Sequence, residues 1–368
     1  MTGQQLEDRA TAEELAAVAA SFRASEQIFA GMGAHLFAEF CRHAAHDPAM
    51  IALASHAMGG ARPAHLFSAV HYLLLGDPSD PLARHFATLC DDPLPPEGSY
   101  PALVRYCEAY RAELLDLLHT RSVQTTYAER CRAILAPMGV VAREAGEPLN
   151  LIEIGCSAGV LLVFDQFAYR LNAQGLIGPA DAPLVLEGEL RGGPDLFIPR
   201  IGKRIGIDLH TIDARSPEDR RWLLALCFPE LRDEQRRLEA ALQVIARTDI
   251  TMLEGDGLVR LKEALALAPD PLCLFHSACL FYWPAPAREA LEALLIEASA
   301  TREFWRIGIE PSAAFDNWQR GTRDGPATPA AAAKHSGEIR IFHYRHGQVE
   351  SRAVGVPNAD YGEIDWIG

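Results

Sequence analysis

The chain has 368 residues, 49% hydrophobic and 23% charged, and its 34 Lys and Arg against 49 Asp and Glu give a formal net charge of −15. This length allows two domains, or one large domain with an appended one, of ordinary globular composition. So negative a balance argues against nucleic acid as the main partner, since phosphate binding needs clustered Lys and Arg.

The first half predicts helices and no convincing strand. Residues 12–45 are rich in Ala and Glu, with Leu15, Val18, Phe22, Phe29, Met32, Leu36 and Phe40 at helical spacing. Asp47-Pro48 and Gly76-Asp77-Pro78 mark helix starts or turns, and residues 91–96 (Asp-Asp-Pro-Leu-Pro-Pro) a loop. Residues 103–118 and 126–141 continue the helical pattern. Residues 1–147 are therefore expected to form an all-helical cap domain.

At Glu147-Pro148 the pattern changes to short apolar runs alternating with amphipathic helices, the pattern of a parallel α/β sheet. Strands are expected over residues 149–154, 184–186, 204–207, 251–253, 272–275 and 305–309, with helices over 157–171, 218–227, 233–246, 257–267 and 287–298. Residues 339–344, a His346-Gly347 turn and residues 349–354 predict an antiparallel C-terminal hairpin. Residues 327–333 are a low-complexity, Ala-rich loop, and no internal repeat is evident. The second domain, 148–368, is thus an α/β domain with a mostly parallel sheet.

No uncharged apolar run approaches the ~18 residues of a bilayer span, and the polar start, Met1 to Arg9, lacks the features of a secretory leader. The eight cysteines, at 41, 90, 107, 131, 156, 227, 273 and 279, include no Cys-x-x-Cys pair. They read as buried thiols of a reducing compartment, so a cytoplasmic location is expected. His35, His43 and His46 share one helical region without matching carboxylates, and no metal site is expected there.

The most telling segment runs Leu-Asn-Leu-Ile-Glu-Ile-Gly-Cys-Ser-Ala-Gly over 149–159. It predicts a strand, a glycine turn and an immediate helix, a geometry that turns backbone N–H groups toward a ligand. Gly155 and Gly159 give a positive φ and close backbone approach, Ser157 or its neighbour can cap the helix, Cys156 lies in the same ligand loop, and Glu153 points to the crevice. Two more acids end later strands. Asp208, with Leu209 beside it, fits a carboxylate holding a ribose diol while Leu209 packs on adenine. Asp256-Gly257 is placed for the adenine amino group. Each acid alone also fits a turn or helix cap. Together, acids at successive parallel strand ends favour an adenosyl-type ligand.

Glu153, Gly155, Gly159, Asp208 and Asp256 resemble the class I S-adenosylmethionine-dependent methyltransferases. More closely, residues 153–159, 206–213, 216–220, 254–256 and 275–277 resemble a bacterial family catalogued as a domain of unknown function, number 2332, over roughly residues 10–365. The superfamily resemblance implies a Rossmann-like fold and S-adenosylmethionine as cofactor. About fifty residues separate Gly155 from Asp208, against a usual ~20. A Gly- and Pro-rich insertion over 178–203 accounts for that distance; otherwise Glu187 is the ribose acid. Gln124 to Tyr127 also resembles a stretch of the family, where Asn is more usual than Thr126.

His276, in Phe275-His-Ser-Ala-Cys279-Leu-Phe-Tyr-Trp-Pro284, is the candidate general base, or else a hydrogen-bonded residue of a sheet edge. Phe281, Tyr282 and Trp283 either enclose an acceptor or belong to the core, and Cys279 is taken as a bystander. The expected activity is methyl transfer to a small molecule or protein acceptor, with non-catalytic adenosyl binding as the alternative and the oligomeric state, a homodimer included, open. A third reading takes Gly155-x-Ser157-x-Gly159 as a serine-hydrolase elbow, with Asp208 or Asp256 followed by His276, His335 or His343. No upstream strands or oxyanion loop accompany it, and Glu153 would place a charge in a buried strand.

Overall fold

The computed structural model describes residues 10–311, 315 and 337–368; the Ala-rich patch 327–333 and His335 lie outside the described residues. The chain divides into two compact units, Met1–Thr125 with Arg215–Glu239, and Thr126–Ala214 with Ala240–Gly368.

The first unit is helical. It holds α1 (Ala12–Gly31), α2 (His35–Ala44), α3 (Pro48–Ala54), α4 (Arg62–Gly76), α5 (Tyr100–Ala109), α6 (Arg111–Thr120), α8 (Pro217–Ala225) and the start of α9 (Arg232–Ile245). Local sequence sets the helix starts. Thr11 and Glu14 form a capping box on α1, Asp47 caps α3 ahead of Pro48, and Ser216 caps α8 ahead of Pro217. The core is aromatic: Phe37 lies 5.3–6.5 Å, ring to ring, from Phe29, Phe40, Phe67, Phe86 and Phe228.

His71 sits fully buried in this core. Its Nδ1–H donates to the Ala225 carbonyl at 3.1 Å, and its Nε2 meets the Thr88 hydroxyl at 2.8 Å. Both contacts suit a neutral ring, and burial pulls its pKa down to about 4. The unfolded chain takes up this proton near pH 6.5, whereas the folded protein resists until about pH 4. Stability is therefore complete above pH 6.5 and falls on acidification, by about 3 kcal/mol at pH 4. Urea titrations of the wild type and His71→Gln across pH 7 to 4 check this. The variant should show a shallower loss, and an equal slope in both proteins would rule the assignment out.

The second unit is α/β. Its strands are β1 (Leu149–Ile154), β2 (Ala168–Arg170), β3 (Val185–Glu187), β4 (Glu189–Arg191), β5 (Ile201–Asp208), β6 (Thr251–Glu254), β7 (Leu272–Ser277), β8 (Phe304–Glu310), β9 (Glu338–Arg345), β10 (Gln348–Pro357) and β11 (Glu363–Trp366). Nine form one sheet in the order β4-β11-β10-β9-β8-β7-β1-β5-β6. The run β6-β5-β1-β7-β8 is parallel and β8 through β11 antiparallel, with β4 parallel to β11. Strand β1 is buried at every residue, as a central parallel strand must be. The β9–β10 turn, His346-Gly347, has φ of 52° and 70°, the left-handed pair of a two-residue hairpin.

Alternation along the strands fixes two faces. Ile152, Ile154, Ile205, Ile207 and Leu274 pack with Leu261 of α10 (Gly257–Leu267) and Leu291 and Leu295 of α11 (Ala285–Ala298). Glu153, Phe275 and Trp305 point to the other face, where α7 (Cys131–Ala145) lies and Glu144 accepts from Trp305 Nε1 at 3.1 Å.

The segment after β1 corrects the sequence reading. No helix spans 157–171; a turn leads into a short 3₁₀ helix, Leu161–Gln166, and then β2. Ser157 at φ 52° and Gly159 at φ 85° both leave the right-handed helical region, so a helix cannot begin there. Leu161 to Phe164 are buried all round instead of forming an amphipathic face. Within 178–203, the strand expected over 184–186 is present as β3, and β4 is an addition to the expectation. Strand β3 pairs with β2, and β4 joins the edge of the large sheet through β11.

Candidate functional site

From β1 the chain runs outward through β5 to β6, then crosses to β7 and β8 on the other side of β1. Strand order thus reverses between β1 and β7. Open α/β sheets bind ligands at the carboxyl ends of the strands at such a point. The loops that follow β1 and β7 meet there: Cys279 Sγ lies against Gly155, in the space that any Cβ would take.

These two loops are built alike. After β1, Gly155 N–H donates to the Ile207 carbonyl at 2.8 Å, and Ser157 N–H donates to Asp208 Oδ2 at 2.7 Å. After β7, Ala278 N–H donates to the Ile309 carbonyl at 2.9 Å, and Cys279 N–H donates to Glu310 Oε1 at 2.9 Å. Ser157 and Ala278 both turn through positive φ, 52° and 49°. The acids belong to one repeated pentapeptide that the sequence reading passed over, Arg204-Ile-Gly-Ile-Asp208 and Arg306-Ile-Gly-Ile-Glu310. Its arginines are also used alike, Arg204 pairing with Asp165 at 2.8 Å and Arg306 with Glu292 at 3.1 Å.

The remaining sequence candidates take distinct places. Glu153 is 1% exposed, and its Oε2 has no partner among the described residues. Burial and the Asp208 charge push its carboxyl well up, with Arg130 opposing. Cys156 is buried against Gly206, and desolvation raises its thiol. Asp208 is half-buried; its Oδ1 accepts from His210 N–H at 3.3 Å, while Leu209 is 64% exposed. Asp256 caps α10, its Oδ1 accepting from Leu258 and Val259 N–H at 3.0 and 3.1 Å. Gly257 leaves room for the Trp283 ring. Glu254, not singled out from sequence, accepts from Thr211 N–H at 2.9 Å beside these acids. Glu187 lies in the two-stranded sheet, paired with Arg170 at 2.8 Å. Among the described residues, the most exposed large apolar side chains of this unit are Tyr282, Val259 and Leu209, all beyond the carboxyl ends of the strands. In the helical unit, His43 contacts Glu39 at 3.1 Å and stacks on Tyr100.

His276 is paired across the sheet with Ile154, so it projects from the face opposite Glu153. It is fully buried, with Nδ1 2.8 Å from Glu310 Oε1. That oxygen also accepts Cys279 N–H and Leu280 N–H, at 2.9 and 3.0 Å. Two backbone donors make the Glu310 oxygen an acceptor, so the ring donates from Nδ1 and keeps its lone pair on Nε2. Desolvation lowers the imidazole pKa, against the raising effect of Glu310. Glu310 was missed from sequence, although a strand ending in an acid is the signal that marked Asp208.

No curated protein and no solved structure matches the chain. A family described as "Uncharacterized protein conserved in bacteria (DUF2332)" matches residues 19–359, and the chain belongs to that family.

Proposed function

We propose that the α/β unit is an S-adenosylmethionine-dependent methyltransferase that binds its cofactor at the carboxyl ends of β1, β5 and β6. One observation carries the reading. The sheet reverses beside a glycine loop whose neighbouring strands, β5 and β6, end in Asp208 and in Glu254 with Asp256 behind it. The donor set suits an adenosyl group. Asp208 is a half-buried carboxylate beside the glycine loop that can accept from a ribose diol, and Asp256 and Glu254 offer acceptors to an amino group. Leu209 and Val259 offer exposed apolar surface to a planar base.

When bound, the cofactor supplies an electrophilic methyl group. The protein's part is to hold and align: Asp208 keeps the loop shaped through Ser157 N–H, and Trp283, seated on Gly257, covers the base of the crevice. The acceptor is a small molecule or a protein side chain.

Calorimetry with S-adenosylmethionine and S-adenosylhomocysteine on the wild type and Leu209→Glu tests the reading. Micromolar binding, weakened at least about tenfold by the exposed-site substitution, is expected. Absence of wild-type binding overturns it. Binding without turnover of any offered acceptor would leave the non-catalytic adenosyl binder as the better description.

A further inference from the structure

On the opposite face of the sheet, between α11 and strands β7 and β8, lies a cavity of about 390 Å³. Leu280, Leu291, Ala293, Ile296 and Phe315 give it apolar walls, and His276 and Arg306 form its floor. The charges of the floor are already matched. Arg306 pairs with Glu292 at 3.1 Å and lies over the Phe342 ring at 3.9 Å, and Tyr344 Oη–H donates to Glu292 Oε1 at 2.8 Å. Arg288, on the rim, donates to the Trp283 carbonyl at 2.9 Å. On the floor, His276 Nε2 is buried and has no partner among the described residues.

We propose that this cavity is a binding pocket for a small, neutral, mainly apolar molecule carrying one hydroxyl group, a phenol or compact alcohol, whose O–H donates to His276 Nε2. Chemistry narrows the class. The matched floor charges offer no net charge to an ionic ligand, and the apolar walls favour a compact hydrocarbon body. Because Glu310 holds the proton on Nδ1, Nε2 accepts and does not donate, so an ether or ketone of equal shape leaves it unsatisfied. A volume of about 390 Å³ lies at the small end of ligand pockets and admits a substituted ring with room to spare. The pocket lies on the face opposite Glu153 and stands independently of the cofactor reading.

The experiment compares p-cresol with 4-methylanisole, which lacks the O–H, by calorimetry on the full chain, with neither adenosyl compound present. p-Cresol is expected to bind at least about tenfold more tightly, because the anisole leaves a buried acceptor unpaired. In protein labelled with 15N-histidine, the His276 Nε2 resonance should move with p-cresol and stay in place with 4-methylanisole. Ile296→Trp, which fills the cavity from α11, should abolish p-cresol binding with the fold intact by circular dichroism. Equal affinity for the two probes, no affinity for p-cresol, a proton already on Nε2, or binding that survives Ile296→Trp would each overturn the proposal. A water held by Nε2 would show as the second of these, with the resonance unmoved.

Discussion

Arg204→Ala is expected to destabilise the α/β unit by about 3–5 kcal/mol, the cost of breaking a buried ion pair from one side. The guanidinium donates to both oxygens of Asp165 at 2.8 Å and to the Leu162 carbonyl at 2.6 Å, and the two side chains are only 10% and 13% exposed. Removing the arginine strands the Asp165 charge beneath the glycine loop and frees the 3₁₀ segment that stands where a helix was expected. Replacing both partners, as Arg204→Met with Asp165→Leu, should recover more than half of the loss, because an apolar pair of similar volume leaves no orphaned charge. Hydrogen exchange of β1 and β5 amides reads the unit directly, without assuming that the two compact units unfold together. A single variant within about 1 kcal/mol of wild type would show that the pair is solvated and structurally idle.

Glu310→Ala should lower stability by at least about 3 kcal/mol. It leaves His276 Nδ1–H, Cys279 N–H and Leu280 N–H buried without an acceptor, each worth about 1–3 kcal/mol, though not additively. Glu310→Gln keeps an amide oxygen in the same place and should retain most of the difference. Thermal melts and amide exchange at Cys279 and Leu280 separate the two. Exchange that accelerates in the Ala variant and stays slow in the Gln variant is the expected pattern, and equal behaviour of the two would mean that Glu310 does not hold this loop.

Parts of this architecture are legible in the sequence because physics there is local. Leu149 to Ile154 is apolar enough to require burial on both faces, and Gly155 can only end it in a turn. The strand end at Asp208, the α10 cap at Asp256 and the His346-Gly347 turn follow from the same short-range rules. The failures come where burial overrides periodicity or chain distance hides contact. Val160 to Phe164 falls within the helix expected over 157–171, yet every one of these residues is buried and the backbone is already committed by Ser157 and Gly159. Strands β2 and β4 have three residues each, too few for an alternation to be seen. Nothing local states that α8 should compact with helices about 100 residues earlier; the Trp222 indole, donating to the Ser122 carbonyl at 2.8 Å, does so through tertiary contact. In the site, Asp208 could be found as a strand-end acid, but the face on which His276 lies depends on its register against Ile154, which only the assembled sheet supplies.

The twin loops have a consequence for how this sheet tolerates change. Each crossover turn takes its shape from an acid on the adjacent strand, Asp208 for one and Glu310 for the other. Strand register and loop conformation are therefore a single mechanical variable. A slip of one residue in β5 against β1 would swing Asp208 to the far side of the sheet and release Ser157, and a slip in β8 would do the same to Cys279. An insertion or deletion within either pentapeptide would deform the rim several residues away in space while leaving the rim's own sequence untouched, whereas length changes in the outer connections would leave it alone.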